Sequence, residues 1–220
     1  MLELDALVFN DDQMQQLDCY QNIVWDGMES VLIGSCAGDK ILLLCANLNV
    51  EKYFWKQYSS YSKALALESH LEDEDPHRPV MAACARISAG DEDEIYLERL
   101  SSEVILRSIR SDFSGKPYAG EKITDAKAYL TNLNATCRLI PQGDDRTNRV
   151  INHKGLVPHD LRSFRDSTMI FREIGAIDRE GIHPSAGFIC YPNNANEETI
   201  GTPFTRLVIE GKIMGETWFW

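Results

Sequence analysis

The stretch Leu2–Phe9, LELDALVF, decides the fold class of this 220-residue chain. Its apolar residues recur with a period of two, which is the spacing of a β-strand, because successive side chains point to opposite faces. Asn10-Asp11-Asp12 follows as a turn, since short Asx side chains bond their own backbone. The sequence therefore predicts a first strand and a hairpin that returns through Leu17–Tyr20. One face of the predicted strand is made by Leu2, Leu4, Ala6 and Val8, and Leu7 and Phe9 lie on the opposite face.

Similar short apolar runs, separated by turn residues, recur along the chain. Further strands are predicted at Val31–Ile33, Ile41–Ala46, Met81–Ile87, Ile95–Ile109 with a break at Ser101–Glu103, Ala126–Leu130, Ala135–Ile140, Phe188–Tyr191, Leu207–Ile209 and Lys212–Met214. Ile41–Ala46 is continuously apolar, which predicts a central strand covered on both faces. Residues 49–71 differ, because their aromatic and leucine spacing is nearer to helical and they contain no Gly or Pro. The pattern favours a mostly β protein made of β-sandwiches with a minor helix.

The segment Phe113–Pro117, FSGKP, is the best linker candidate in the chain. It predicts two domains of similar size, residues 1–115 and 116–220, and the second is expected to be incomplete. A polar stretch, Pro141–Asp160, is predicted to be a long surface loop.

The charge of the chain limits its partners. A formal net charge of -12 and a sequence pI near 4.8 disfavour nucleic acid and anionic lipid surfaces. Two acidic runs, Glu72–Asp75 and Asp91–Glu94, are predicted to be solvated loops rather than calcium sites. No stretch approaches the ~20 apolar residues of a membrane helix, and Met1 is not followed by a signal peptide. We therefore expect a cytoplasmic protein or a piece whose leader is missing.

The residues that usually carry chemistry do not form a recognisable site. The six cysteines form no CxxC pair, so zinc is not expected. Cys45, Cys84, Cys137 and Cys190 lie in strand-like segments, which favours buried thiols over disulfides. His153 and His159 lack a clear third ligand, so no metal is predicted. No Gly-rich phosphate loop, GxSxG elbow or HExxH helix is present. The sequence predicts no cofactor and no enzymatic activity.

Both ends of the chain read as strand, and a terminal strand without a neighbour leaves backbone groups that invite another chain. The closing stretch is Thr205–Trp220, TRLVIEGKIMGETWFW. The residues predicted to form an open edge or groove for a partner strand, with plain core packing as the alternative, are Leu4, Ala6, Val8, Leu207, Ile209, Trp218, Phe219 and Trp220.

Several of these strand patterns resemble the fimbrillin superfamily, the stalk, tip and anchor subunits of type V pili in Gram-negative anaerobes. The resemblance covers almost the whole chain through short, degenerate motifs. It rests on LDALVFNDD at Leu4–Asp12, KILLLCANL at Lys40–Leu48, IYLERLSSEV at Ile95–Val104, AYLTNL at Ala128–Leu133, FICYPNN at Phe188–Asn194 and TRLVIEG at Thr205–Gly211. Ser102-Glu103 departs from the Ala-Lys that is typical of the family.

The resemblance implies two transthyretin-like β-sandwich domains, export as a lipoprotein, and a location at the outer membrane, cell surface or fimbrium. It also implies polymerisation by donor-strand complementation, in which a strand from one fimbrial subunit fills a groove in the next. Family members usually begin with a lipoprotein signal and continue beyond the match to Trp220, so the chain is expected to be an excised, processed or truncated form. The rival hypotheses are a non-polymerising surface lipoprotein that binds host glycan or protein through Pro141–Asp160, and a secreted glycosidase.

Overall fold

The computed structural model describes residues 2–27, 30–48, 52–88, 90–142, 147, 149–153, 155, 159–194 and 204–219. Its strands are β1 (Leu2–Asn10), β2 (Leu17–Trp25), β3 (Asp39–Ala46), β4 (Glu68–His70), β5 (Met81–Ser88), β6 (Glu98–Arg99), β7 (Ser102–Leu106), β8 (Ile123–Thr131), β9 (Leu133–Asn134), β10 (Thr136–Arg138), β11 (Val150–Ile151), β12 (Phe171–Ile177), β13 (Ala186–Cys190), β14 (Arg206–Ile213) and β15 (Glu216–Phe219). The helical elements include α1 (Tyr61–Ala64) and 3-10 turns at Trp55–Gln57, Leu71–Asp73, His159–Ser163 and Ser167–Met169. The predicted mostly β class is confirmed.

The chain divides into two compact units. The first consists of Met1–Ser101 and Thr136–Asp145, and the second of Ser102–Ala135 and Arg146–Trp220. The predicted boundary between residues 115 and 116 falls inside the second unit. The reason is that β7, which precedes residue 115, pairs with β13.

The first unit is built on an antiparallel five-stranded sheet in the order β2-β1-β3-β5-β6. The β1 and β2 hairpin and the central position of β3 are as predicted. One face of the sheet carries the buried cluster Ala6, Val8 and Leu42. Ile33 and Ile95, from segments without strand structure, pack against that cluster. A small sheet of β4 and β10 completes the unit.

Two local predictions in the first unit are wrong. Val31–Ile33 is not a strand: the side chain of Gln21 accepts from Gly34 N at 3.1 Å and donates to the Leu32 carbonyl at 3.4 Å, in place of a backbone ladder. The helix expected within residues 49–71 shrinks to the single turn α1. The strand β4 follows it and pairs with β10, so tertiary pairing overrides the helical spacing.

The second unit contains a four-stranded antiparallel sheet in the order β12-β8-β14-β15, with the pairs β13-β7 and β11-β9. Its core cluster consists of Ile123, Ala126, Ile177 and Ile213. Phe113 and Tyr118 pack against this cluster and against each other, with ring centroids 4.8 Å apart. The predicted linker is therefore a loop that closes the core. Strand β12 was not predicted at all. The two strands predicted at Leu207–Ile209 and Lys212–Met214 are one strand, β14, which ends at Ile213.

Cysteine burial follows the prediction only in part. All six cysteines are free thiols, and Cys45, Cys137 and Cys190 are buried. Cys84 is exposed, contrary to expectation. Burial raises the pKa of the Cys190 thiol, so this cysteine behaves as a small apolar side chain.

Candidate assembly surface

The three predicted residues of β1 lie inside a sheet. Leu4, Ala6 and Val8 are 4%, 0% and 0% exposed. Strand β1 pairs with β2 on one side and with β3 on the other, so its backbone groups have partners along both margins. The edge assignment is wrong for these residues, because the β2 hairpin and β3 occupy both sides. All three are core residues, and Ile33 and Ile95 pack against the cluster that contains Ala6 and Val8.

The closing residues belong to the second unit, whereas Leu4, Ala6 and Val8 belong to the first. Leu207 and Ile209 are half-buried in β14, and Ile209 packs against the Ile123 cluster. Trp218 is 48% exposed in β15. Phe219 ends β15, but its side chain, like the whole of Trp220, lies outside what the structure describes.

The margin of this sheet is only partly paired. Strand β15 is the outermost strand, and it pairs with Glu210–Ile213 of β14. The first half of β14, Arg206–Ile209, pairs with β8 on the opposite side. Among the described residues no strand continues β15 alongside Arg206–Ile209. An added strand in line with β15 would meet these backbone groups.

The surface around this margin is apolar at its exposed end. Trp218 and Met214, 48% and 75% exposed, come from β15 and from the turn that precedes it. One ion pair, Lys212 Nζ to Asp125 Oδ2 at 2.9 Å, links β14 to β8 beside them. An exposed indole on an outer strand is the kind of contact that a partner chain covers.

The acidic runs and the polar loop add no assembled site. Asp91–Glu94 is exposed, as predicted. Glu74 is 2% exposed and accepts a hydrogen bond from Val80 N at 3.4 Å, so the solvated reading of Glu72–Asp75 is wrong at this residue. Much of Pro141–Asp160, including the side chain of His159, lies outside the described residues. Within the described part of the chain no group of three or more His, Cys, Asp or Glu could hold a metal ion.

No protein-family model and no curated protein matches the chain. Solved structures do. A protein assigned to cell adhesion from Parabacteroides distasonis aligns with a TM-score of 0.67 at 15% identity, over 99% of this chain and 69% of its own. A second cell adhesion protein, from Bacteroides eggerthii, aligns with a TM-score of 0.66 at 14% identity, over 99% and 70%.

A fimbrilin from Porphyromonas gingivalis aligns with a TM-score of 0.61 at 14% identity, over 97% of this chain and 65% of its own. This chain has the fimbrillin-like fold. At such low identity the comparison shows the fold alone, and the shared backbone path extends over nearly the whole chain. None of its described helices is long and apolar enough to cross a membrane.

Proposed function

We propose that this fimbrillin-like chain is a non-enzymatic structural or adhesive subunit, or an anchor, of a bacterial surface fimbria. The observation that carries the proposal is the alignment of 97% of the chain with a fimbrilin. Its partners are other fimbrial subunits, and its location is the cell surface or the fimbrium. Attachment to the outer membrane as a lipoprotein is part of the same proposal.

The proposed mode of assembly is strand exchange at the margin formed by β14 and β15. A partner strand in line with β15 pairs with Arg206–Ile209 and covers Trp218. Main-chain hydrogen bonds supply the affinity and the apolar side chains supply the register. The groove role of Leu207, Ile209, Trp218, Phe219 and Trp220 stays a prediction. Burial of one large apolar side chain contributes about 1.5–3 kcal/mol, so Trp218 is the residue to test first.

A charged residue at the margin tests this mode. In Trp218→Lys, a lysine on an outer strand opposes the addition of another strand, because its charge would be desolvated. We expect the variant to lose concentration-dependent oligomers that the unaltered chain, or a mixture of the chain with a neighbouring fimbrial subunit, forms in sedimentation velocity. Tyr96→Lys is the matched control, since it replaces an aromatic side chain that is 74% exposed with the same charge, in a segment of the first unit outside the sheet that holds β15. This variant is expected to keep those oligomers.

Two results would count against the assembly mode. If both variants associate equally well, the margin formed by β14 and β15 is not used for assembly. If the unaltered chain stays monomeric when it is mixed with each fimbrial subunit, assembly by strand exchange is excluded. The surface location is tested separately, by looking for this chain in sheared surface filaments and for a lipid-modified N-terminus in the cell envelope.

A further inference from the structure

A lysine, an asparagine and an aspartate meet at the end of the first sheet. Lys40 Nζ donates to Asn10 Oδ1 at 2.6 Å and lies 3.1 Å from Asp18 Oδ2. The lysine and aspartate side chains are 2% and 10% exposed. A lysine is rarely buried to this extent. Its amine is thus held against a side-chain amide and a carboxylate, largely shielded from water.

The strand register produces this meeting. Lys40 of β3 stands directly opposite Asn10, the last residue of β1. The backbone on both sides is fixed by hydrogen bonds from Asn10 N to Gln16 O and from Asp11 N to Asp39 O, each 3.0 Å long. The backbone segments that carry Lys40 and Asn10 therefore have little freedom to separate.

A β-bulge brings in the third group. Val8 pairs with Cys19 and Phe9 with Leu17, so Asp18 is an extra residue in β2. Bulges re-aim side chains, and here the carboxylate reaches Lys40 on the far side of β1. Asp18 Oδ2 also accepts from Cys36 N at 2.9 Å, which fixes its position.

The geometry points to an intramolecular isopeptide bond between Lys40 and Asn10, formed by the chain itself with Asp18 as the catalytic residue. The Nζ atom attacks Cγ of Asn10, a bond forms between Nζ and Cγ, and the bond from Cγ to Nδ2 breaks. The products are a secondary amide between the two side chains and one ammonium ion. The reaction needs no oxidant, metal or cofactor.

Asp18 carries the proton through this reaction. An amine attacks a carbonyl only without its extra proton, so the carboxylate 3.1 Å away first accepts a proton from Nζ. The resulting carboxylic acid then gives this proton to the departing Nδ2 as general acid, and ammonia leaves. After the attack Nζ carries one proton more than an amide nitrogen holds, and this second proton passes through Asp18 to the ammonia, which becomes ammonium. Asp18 ends as it began, and the positive charge of the lysine leaves as ammonium.

Hydrogen bonds to Asp18 influence the rate of the first proton transfer. The Cys36 amide, and after it Lys40, lower the pKa of Asp18. The group is therefore a carboxylate at neutral pH and is ready to accept the proton, but the transfer is uphill. We therefore expect slow formation, which a base in solution accelerates because it can take up the proton in place of Asp18.

The bond would tie β1 to β3 and close residues 10–40 into a covalent ring. A ring of this kind restricts the unfolded chain, as a disulfide does. It would also prevent β1 from separating from β3 under a pulling force. Formation of the isopeptide bond does not depend on the proposed fimbrial role, and mass spectrometry detects the bond directly.

The experiment is intact-mass and peptide-mapping mass spectrometry on the folded chain, fresh and after prolonged alkaline incubation. We expect a mass about 17 Da below that of the sequence, from the loss of ammonia, and a branched peptide that contains both Asn10 and Lys40. Lys40→Arg, Asn10→Ala and Asp18→Asn should each show the full mass. Lys40→Arg keeps the charge for the ion pair, so it isolates the chemistry from folding.

Lys212→Arg is the matched control. The Nζ atom of Lys212 also lies 2.9 Å from a carboxylate oxygen, Asp125 Oδ2, but the lysine side chain is 48% exposed. Among the described residues, no side-chain amide lies within hydrogen-bond distance of it. This variant should retain the mass loss. Full mass in the unaltered chain after incubation, with Asn10 and Lys40 recovered in separate peptides, would show that the three residues form only an ion pair. A mass loss that persists in Lys40→Arg would place the ammonia loss elsewhere and also overturn the proposal.

Discussion

At the scale of single residues, Asp5 is the most unusual side chain of the first sheet. It lies in β1 with 1% of its surface exposed. Its Oδ1 atom accepts from Tyr20 Oη and from Asn22 Nδ2, both at 2.8 Å. Its Oδ2 atom has no hydrogen-bond partner within the part of the chain that the structure describes. A buried carboxylate satisfied on one oxygen alone favours the protonated form.

Asp5 should therefore make the protein less stable as the pH rises. Burial, the largest cause, raises the pKa of Asp5 above its usual 3.8, although the hydrogen bonds from Asn22 and Tyr20 lower it. A raised pKa in the folded state means that the stability contributed by Asp5 is complete below the unfolded pKa and is lost as the pH rises through the folded one. In Asp5→Asn the amide oxygen can keep both bonds without the charge. We expect the stability of Asp5→Asn, relative to that of the unaltered chain, to increase between acidic and neutral pH.

Urea unfolding of both proteins at several pH values from acid to neutral measures this difference. The net charge of the chain affects both proteins alike, so the difference between them isolates Asp5. An unaltered chain that becomes more stable than Asp5→Asn with rising pH would contradict the assignment of the pKa shift.

At the scale of elements, Gly211 shows why β14 is one strand. The sequence places Glu210-Gly211 between two apolar runs, which suggests a join. In the structure a Cβ atom at Gly211 would lie 2.2 Å from Cγ2 of Ile123. The glycine therefore lets β14 cross close to β8, at the point where the register between these strands shifts. It serves close packing rather than a turn.

Gly211→Ala should destabilise the second unit by about 1–3 kcal/mol, because the added methyl group overpacks the core beside Ile123. Thermal and urea unfolding measure the loss. Gly34→Ala is the control, since that glycine has open space for a Cβ and is expected to change stability by less than ~0.5 kcal/mol. Leucine has no Cγ2 methyl group on its Cβ, so Ile123→Leu should reduce the loss of stability that Gly211→Ala causes. Equal effects at Gly211 and Gly34 would refute the packing argument.

At the scale of the whole molecule, the chain does not pass once from the first unit to the second. It leaves the first unit after Ser101, returns with Thr136–Asp145, and then re-enters the second. The returning segment supplies β10, the partner of β4. A division at the predicted boundary would separate β4 from β10 and β7 from β13.

We therefore expect the fragments 1–115 and 116–220 not to fold independently. Each would expose a strand whose partner lies in the other fragment, and buried backbone groups without partners are costly. Circular dichroism and thermal unfolding of the separate fragments should show no cooperative transition, while the full chain shows one or two. Cooperative folding of both fragments in isolation would show that the returning segment is dispensable.

The sequence alone determined the strands whose side chains alternate or are continuously apolar, including β1, β3 and β5, and with them the mostly β class. It did so because period-two patterning is local and is imposed by burial of one face. Only the tertiary structure decided which strands are edges, where the chain crosses between units, and that Lys40, Asn10 and Asp18 meet. These features depend on strand register, on a β-bulge and on pairing between distant segments. The sequence of a single strand does not specify any of these.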